Sequence, residues 1–161
     1  MATRKKAISK NVTAKKASKR IKTTIARKRA SPDVPSLFRL NVEVGNLDEA
    51  AEFYGKLFGL EGRKQAGSRC YFNCGPVTLQ VVDVSSVGKP HPAAKALYFT
   101  VKDLDAVFAR AKALGCLSRE EVHGVSGGGI SVRPWGERSF YAEDKWQNPL
   151  CFVEAGTIYP G

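Results

Sequence analysis

Acidic residues are absent from the first 30 positions, although those positions carry 12 lysines and arginines. The net charge of +11 is therefore a property of one terminal segment, because the other 131 residues hold 14 basic and 15 acidic side chains. A uniformly basic body that would grip a polyanion over its whole surface is excluded. Long apolar runs are missing too: none approaches the roughly 20 residues that span a bilayer, and the N-terminus lacks the apolar core of a secretory signal. The expectation is a soluble, cytoplasmic protein with no membrane partner, with nuclear or organellar targeting by the basic segment left open. Histidine is scarce, with His91 and His123 alone, and the four cysteines Cys70, Cys74, Cys116 and Cys151 form no CxxC pair. At 161 residues and 43% apolar composition, the chain can bury a core without covalent staples. Reduced thiols serving as small buried hydrophobes are expected, and two histidines leave a zinc site short of ligands. No Ser-His-Asp or Cys-His arrangement emerges.

Residues 1–35 read as a basic tail, rich in Lys, Ala, Ser and Thr, without an aromatic residue, and running into Pro32 and Pro35. Such a segment cannot bury enough apolar area to offset its ordering entropy, so disorder or transient helix is expected. Lys5, Lys6, Lys15, Lys16, Lys19, Arg20, Arg27, Lys28 and Arg29 are the candidates for contact with nucleic acid or another polyanion, non-specific in sequence and steeply salt-dependent. With no aromatic to stack on bases, sequence readout is not expected. A solubilising extension or an organelle presequence fits the same composition, although Lys outnumbers Arg by 8 to 4.

The body contains two similar passages 57 residues apart, LNVEVGNLDEAAEFYGKLFG from Leu40 and LYFTVKDLDAVFARAKALG from Leu97. Val42 aligns with Phe99, Val44 with Val101, Leu47 with Leu104, Asp48 with Asp105 and Leu57 with Leu114. Each passage opens with period-two alternation, which marks a half-buried strand, and then changes to helical spacing. Asn46 with Glu49 forms a capping-box-like start and Gly59 a stop; Asp103 and Gly115 do the same for the second copy. Strand-like runs follow: CYFNC, VTLQVVDV, ISVRPW, RSFYAE and PLCFVEA. The plan is an α+β fold of two β-α-β-β-β modules, about 36–84 and 96–156, in one domain over 36–156, with 157–161 as a short end. Val87–Lys95, with two prolines, reads as a hinge between them.

The passages NLDEAAEFYGKLFGLEG, VKDLDAVFARAKALG and RSFYAEDKWQNPLCFVE resemble the vicinal oxygen chelate superfamily, the glyoxalase, bleomycin-resistance and extradiol-dioxygenase group. The resemblance covers Ser36–Ala155 and implies a U-shaped mixed sheet wrapped around a cavity, with metal ligands on its inner face in the metalloenzyme members. The ligand positions it implies here are Arg39, a residue near Gln80, Ala96 and Cys151, none of them His, Asp or Glu. Arg39 is a fixed cation and Ala96 has no donor atom, so no metal or other cofactor is expected, an atypical divalent-metal site being the alternative. Cys151 is expected to line the cavity or pack beneath it.

If odd-numbered residues of the first strand face the cavity, Arg39, Asn41 and Glu43 do so, with Gln80, Tyr98 and Thr100 on neighbouring strands. Trp135 and Trp146 are expected near the rim. These side chains suit the orientation of a polar or aromatic small molecule; a solvent-exposed or dimer-covered face without a specific role is the competing reading. Gly127–Gly129 has no helix after it and reads as a flexible hairpin or lid, not a phosphate loop. Glu143 and Asp144, adjacent on a strand, point to opposite faces and are disfavoured as an acid-base pair. The expected function is small-molecule binding by sequestration or sensing, in a homodimer. Alternatives are a lyase or dioxygenase with an atypical metal site, and a nucleic-acid-associated protein working through its tail.

Overall fold

Both helices begin where the sequence offers an acceptor. In the computed structural model, which describes residues 35–122 and 124–159, α1 (Leu47–Phe58) is capped by Asn46, whose side chain accepts from Glu49 N at 3.1 Å. Asp83 adds a second acceptor, taking Leu47 N at 3.0 Å. Only half of the expected capping box forms, because the Glu49 carboxylate pairs with Lys145. Gly59 ends the helix at φ 68, a left-handed turn that suits glycine. Asp103 caps α2 (Leu104–Ala113) through Ala106 N at 2.9 Å, and Gly115 follows at φ 66. The nine basic tail candidates, and His123, lie outside the described residues.

The first module is β1 (Arg39–Val44), α1, β2 (Arg63–Gln65), β3 (Arg69–Cys74) and β4 (Val77–Asp83), with sheet order β1-β4-β3-β2. The second is β5 (Leu97–Val101), α2, a small hairpin of β6 (Glu121–Val122) and β7 (Val125–Ser126), then β8 (Ser131–Val132), β9 (Arg138–Glu143) and β10 (Pro149–Glu154), with sheet order β5-β10-β9-β8. In both sheets the first strand pairs in parallel with the last, β1 with β4 and β5 with β10. The repeat in the sequence is thus a repeat of topology, two β-α-β-β-β modules in an α+β fold.

Even-numbered residues of β1 turn inward, as alternation requires. Val42 and Val44 join Tyr54, Leu57, Phe72, Leu79, Val81, Leu104, Val107, Phe140, Leu150 and Phe152 in one core that takes both helices and the helix-facing side of both sheets. The other face of each sheet therefore looks outward. Asn148 ties the modules' connections together: its Nδ2 donates to Glu43 O (3.0 Å) and its Oδ1 accepts from Ala93 N (2.9 Å). The Val87–Lys95 segment, expected as a hinge, is anchored at Ala93 and at His91.

Two local expectations are corrected. ISVRPW supplies a strand only at Ser131–Val132, after which Pro134 and the Gly136 turn interrupt pairing. The Gly127–Gly129 run is pinned, not loose: Gly127 N donates to Glu120 O at 2.8 Å, and Gly127 O accepts from Tyr141 N at 2.7 Å.

Candidate functional site

Register fixes what shares the outward face of the first sheet. Arg39 stands opposite Thr78, Asn41 opposite Gln80 and Glu43 opposite Val82; Tyr71 of β3 stands on the other side of Gln80. Arg39 Nη1 donates to Gln80 Oε1 at 3.1 Å, and its guanidinium lies 5.2 Å from the centre of the Tyr71 ring, with Arg63 at 5.7 Å from the same ring. Gln80 is buried, whereas Arg39 and Asn41 are exposed. Glu43 turns to the linker and accepts from His91 N (2.8 Å) and Nδ1 (3.1 Å), hydrogen bonds that hold its carboxyl below the usual range.

The outward face of the second sheet carries Tyr98, Thr100, Ser139, Tyr141, Cys151 and Val153, aligned by the pairing of β10 with β5 and β9. Tyr98 is 59% exposed, and its hydroxyl meets that of buried Tyr141 at 2.9 Å. Burial first, and then this hydrogen bond, push the Tyr141 phenol well above its ordinary range. Cys151 lies wholly buried among Tyr141, Val153, Ala96 and Val122, and burial pushes its thiol up to about 11. Arg133 closes one side of this face, nearly buried, its guanidinium 5.0 Å from the Tyr141 ring. Trp135 follows in the next turn, half-buried, with Nε1 donating to Glu137 at 2.7 Å.

The predicted residues thus fall into two groups, one per module. Arg39, Asn41 and Gln80 come together on the first sheet, with Glu43 diverted to His91; Tyr98, Thr100 and Cys151 come together on the second. Among the described residues no side-chain hydrogen bond joins one group to the other. The four positions implied as metal ligands split the same way and do not fit a divalent ion. Arg39 is cationic, Gln80 Oε1 is taken by Arg39, Ala96 has no donor atom, and the Cys151 thiol is held neutral. Among the described residues no cluster of three or more His, Cys, Asp or Glu side chains is arranged to hold a metal.

Asp144, set aside above as an acid-base candidate, has a structural task. It is 2% exposed and accepts from Tyr54 Oη (2.7 Å), Trp146 N (2.9 Å), Asn148 N (2.8 Å) and Asn148 Nδ2 (2.9 Å), which folds the DKWQNP turn over α1. Trp146 lines a cleft of about 580 Å³ with Phe53, Leu117 and Glu143. A more apolar cleft, about 620 Å³, opens between the modules, lined by Leu40, Leu60, Pro76, Leu79, Phe99 and Phe152 among others.

Sequence reasoning passed over Arg133, Tyr141 and Tyr71. Arg133 precedes a proline near the end of the strand-like run ISVRPW and looks solvated until β8–β9 pairing places Ser139 and Tyr141 beside it. Tyr71 and Tyr141 lie in the strand-like runs CYFNC and RSFYAE, but counting from β1 and β5 alone did not reach them; their register beside Gln80 and Cys151 puts them on the outward faces.

Solved structures with the same architecture are numerous. An oxidase, ChaP-H1, aligns at TM-score 0.64 and 22% identity, covering 80% of this chain and 100% of the other. A glyoxalase/bleomycin resistance protein from Albidiferax ferrireducens aligns at 0.60 and 20%, covering 73% and 98%. A lactoylglutathione lyase from Agrobacterium tumefaciens aligns at 0.55 and 23%, covering 76% and 96%. These likenesses establish the fold. No curated protein matches the sequence. The family model described as Glyoxalase/Bleomycin resistance protein/Dioxygenase superfamily matches residues 36–152, and with the doubled module and the paired sheet faces in place, the chain belongs to that superfamily.

Proposed function

We propose that this chain is a small-molecule-binding protein that acts by sequestration or sensing and holds its ligand without a metal. The observation that carries the reading is what occupies the four positions implied as metal ligands: Arg39 and Gln80 satisfy each other, Ala96 has no donor atom, and Cys151 is a buried neutral thiol. The exposed groups around them, Asn41, Tyr98 and Thr100 with the Arg39 and Tyr71 stack, orient a ligand through hydrogen bonds and aromatic contact. Similar structures named as an oxidase and a lyase keep a catalytic alternative in view. That alternative needs a ligand set other than these four positions.

The active form we infer is a homodimer. Among the described residues β1 and β5 each pair with one strand, so each described sheet ends in an edge beside its outward face. A second copy, related by a two-fold axis, brings its second-module face opposite the first copy's first-module face and encloses a ligand between them. Sedimentation over a dilution series should report a dimer, and a monomer at every concentration would remove this part of the reading.

The test of metal independence is the metal content of the full chain after dialysis, with melting followed as Mn²⁺, Fe²⁺, Ni²⁺ or Zn²⁺ is added. The expected outcome is no stoichiometric metal and an unmoved melting temperature. A specific ion at a hundredfold excess over its dissociation constant would add about 2.7 kcal/mol of stability. Stoichiometric metal with such a shift would overturn the proposal in favour of a lyase or dioxygenase.

A further inference from the structure

Arg133, immediately after β8, is 2% exposed. Its Nε donates to Ser139 Oγ at 2.9 Å and its Nη1 to Val122 O at 3.2 Å. Among the described residues Nη2 has no partner, and neither has the buried Oγ of Ser131, two residues earlier on the same face. Among the described residues no carboxylate forms an ion pair with the guanidinium. Burying a cation without a counter-charge is costly, and burying two unpaired donors adds to the cost. Buried polar groups of this kind are normally completed by a partner, whether a water, an ion or a ligand.

The chemistry of the gap narrows the ligand. A guanidinium with no ion-pair partner among the described residues favours an anion, and a single negative charge suits it better than two, because the Glu137 carboxylate already acts on the same buried cluster. Two free donors, a guanidinium N–H and a hydroxyl on the same face, match the two oxygens of a carboxylate. Tyr141, Cys151 and Val153 pack beside the guanidinium and are themselves buried, so the two donors are reached from the side of exposed Tyr98 only when the side chains between them give way. We infer that the second-module face binds small aromatic or apolar monocarboxylic acids, with Arg133 Nη2 and Ser131 Oγ donating to the carboxylate and the ligand body lying toward Tyr98. This assignment rests on the binding reading above and names its ligand class.

The experiment compares benzoate with benzamide, its neutral isostere, by thermal shift and calorimetry on the full chain in buffer free of other carboxylates. Benzoate should bind at least about tenfold more tightly than benzamide, as expected when a hydrogen bond to a charged group is gained. The preference should vanish in Arg133→Met and weaken in Ser131→Ala. In the absence of ligand, Arg133→Met should melt no lower than the parent, since it removes an unpaired buried charge. If Arg133→Met does not fold, Ser131→Ala and Arg133→Lys carry the comparison. Equal binding of the two probes, or a preference for benzoate that survives these substitutions, overturns the carboxylate assignment while the binding reading stands. Absence of binding by benzoate and acetate overturns it as well. The binding reading fails separately, if neutral and cationic small molecules also leave the melting temperature unmoved.

Discussion

At the scale of single residues, Asp144 converts a short turn into a fixed point. Its carboxylate is buried with four donors aimed at it, so removing one leaves part of a buried acceptor unpaired. Tyr54→Phe should cost about 1.5–3 kcal/mol in urea unfolding, the range for a hydrogen bond to a charged group, with Asp144→Asn at least as severe. The thiols of Cys116 and Cys151, both raised by burial from 9.0 to about 11, give a pH signature. A folded-state pKa above the unfolded one means the native chain holds the proton longer. The stability this supplies is therefore whole below pH 9.0 and is lost as the pH climbs toward about 11. Melting in reducing buffer should be insensitive to these groups near neutrality and fall above pH 9.0, and the fall should be shallower in Cys116→Ala and Cys151→Ala.

At the scale of elements, each helix owes its start to one side chain, and Asn46→Ala or Asp103→Ala should cost about 1 kcal/mol apiece. Gly62, between α1 and β2, is under a stricter demand. A Cβ there would stand 2.6 Å from the Phe72 ring and 2.7 Å from Cys70 Sγ, both in the core. Gly62→Ala should lower stability by about 1–3 kcal/mol, as overpacking does, measured by denaturant midpoint; an unchanged midpoint would show that the Phe72 ring yields freely. These signals mark what was readable in advance. Caps, alternation and the 57-residue repeat are local or periodic, so Asn46, Asp103, β3, β4, β9 and β10 were visible from residue types alone. β2 was not, because Arg63, Lys64 and Gln65 are all exposed and show no alternation; pairing with β3 alone makes them a strand. The site was half legible for the same reason. Alternation placed Arg39, Asn41 and Tyr98 on outward faces, but the burial of Arg133 arises from the cross-strand neighbours Ser139 and Tyr141, which no local pattern reveals.

At the scale of the whole molecule, the basic residues of the first 30 positions stand apart from a nearly neutral body. If they contact a polyanion, the logarithm of affinity for duplex DNA should fall linearly with the logarithm of salt, with a slope of about 0.9 per phosphate neutralised. Replacing Lys5, Lys6, Lys15, Lys16 and Lys19 by Gln should flatten that slope and leave melting unchanged, read by a salt titration beside a thermal scan. An unaltered slope would move the contact to other residues. The parallel closure of each sheet has a further consequence during synthesis. The first sheet is complete at Asp83 with α1 already packed on its helix face, but the part of that core shared with the second module, Phe58 included, is covered only when β10, beginning at Pro149, pairs with β5 and brings Phe152 in. At about 5–20 residues per second, the ribosome leaves that shared part of the first module's core uncovered for roughly 3–14 s. Translation speed across Val84–Asn148 is therefore a determinant of yield, and that interval is when a chaperone would find this chain.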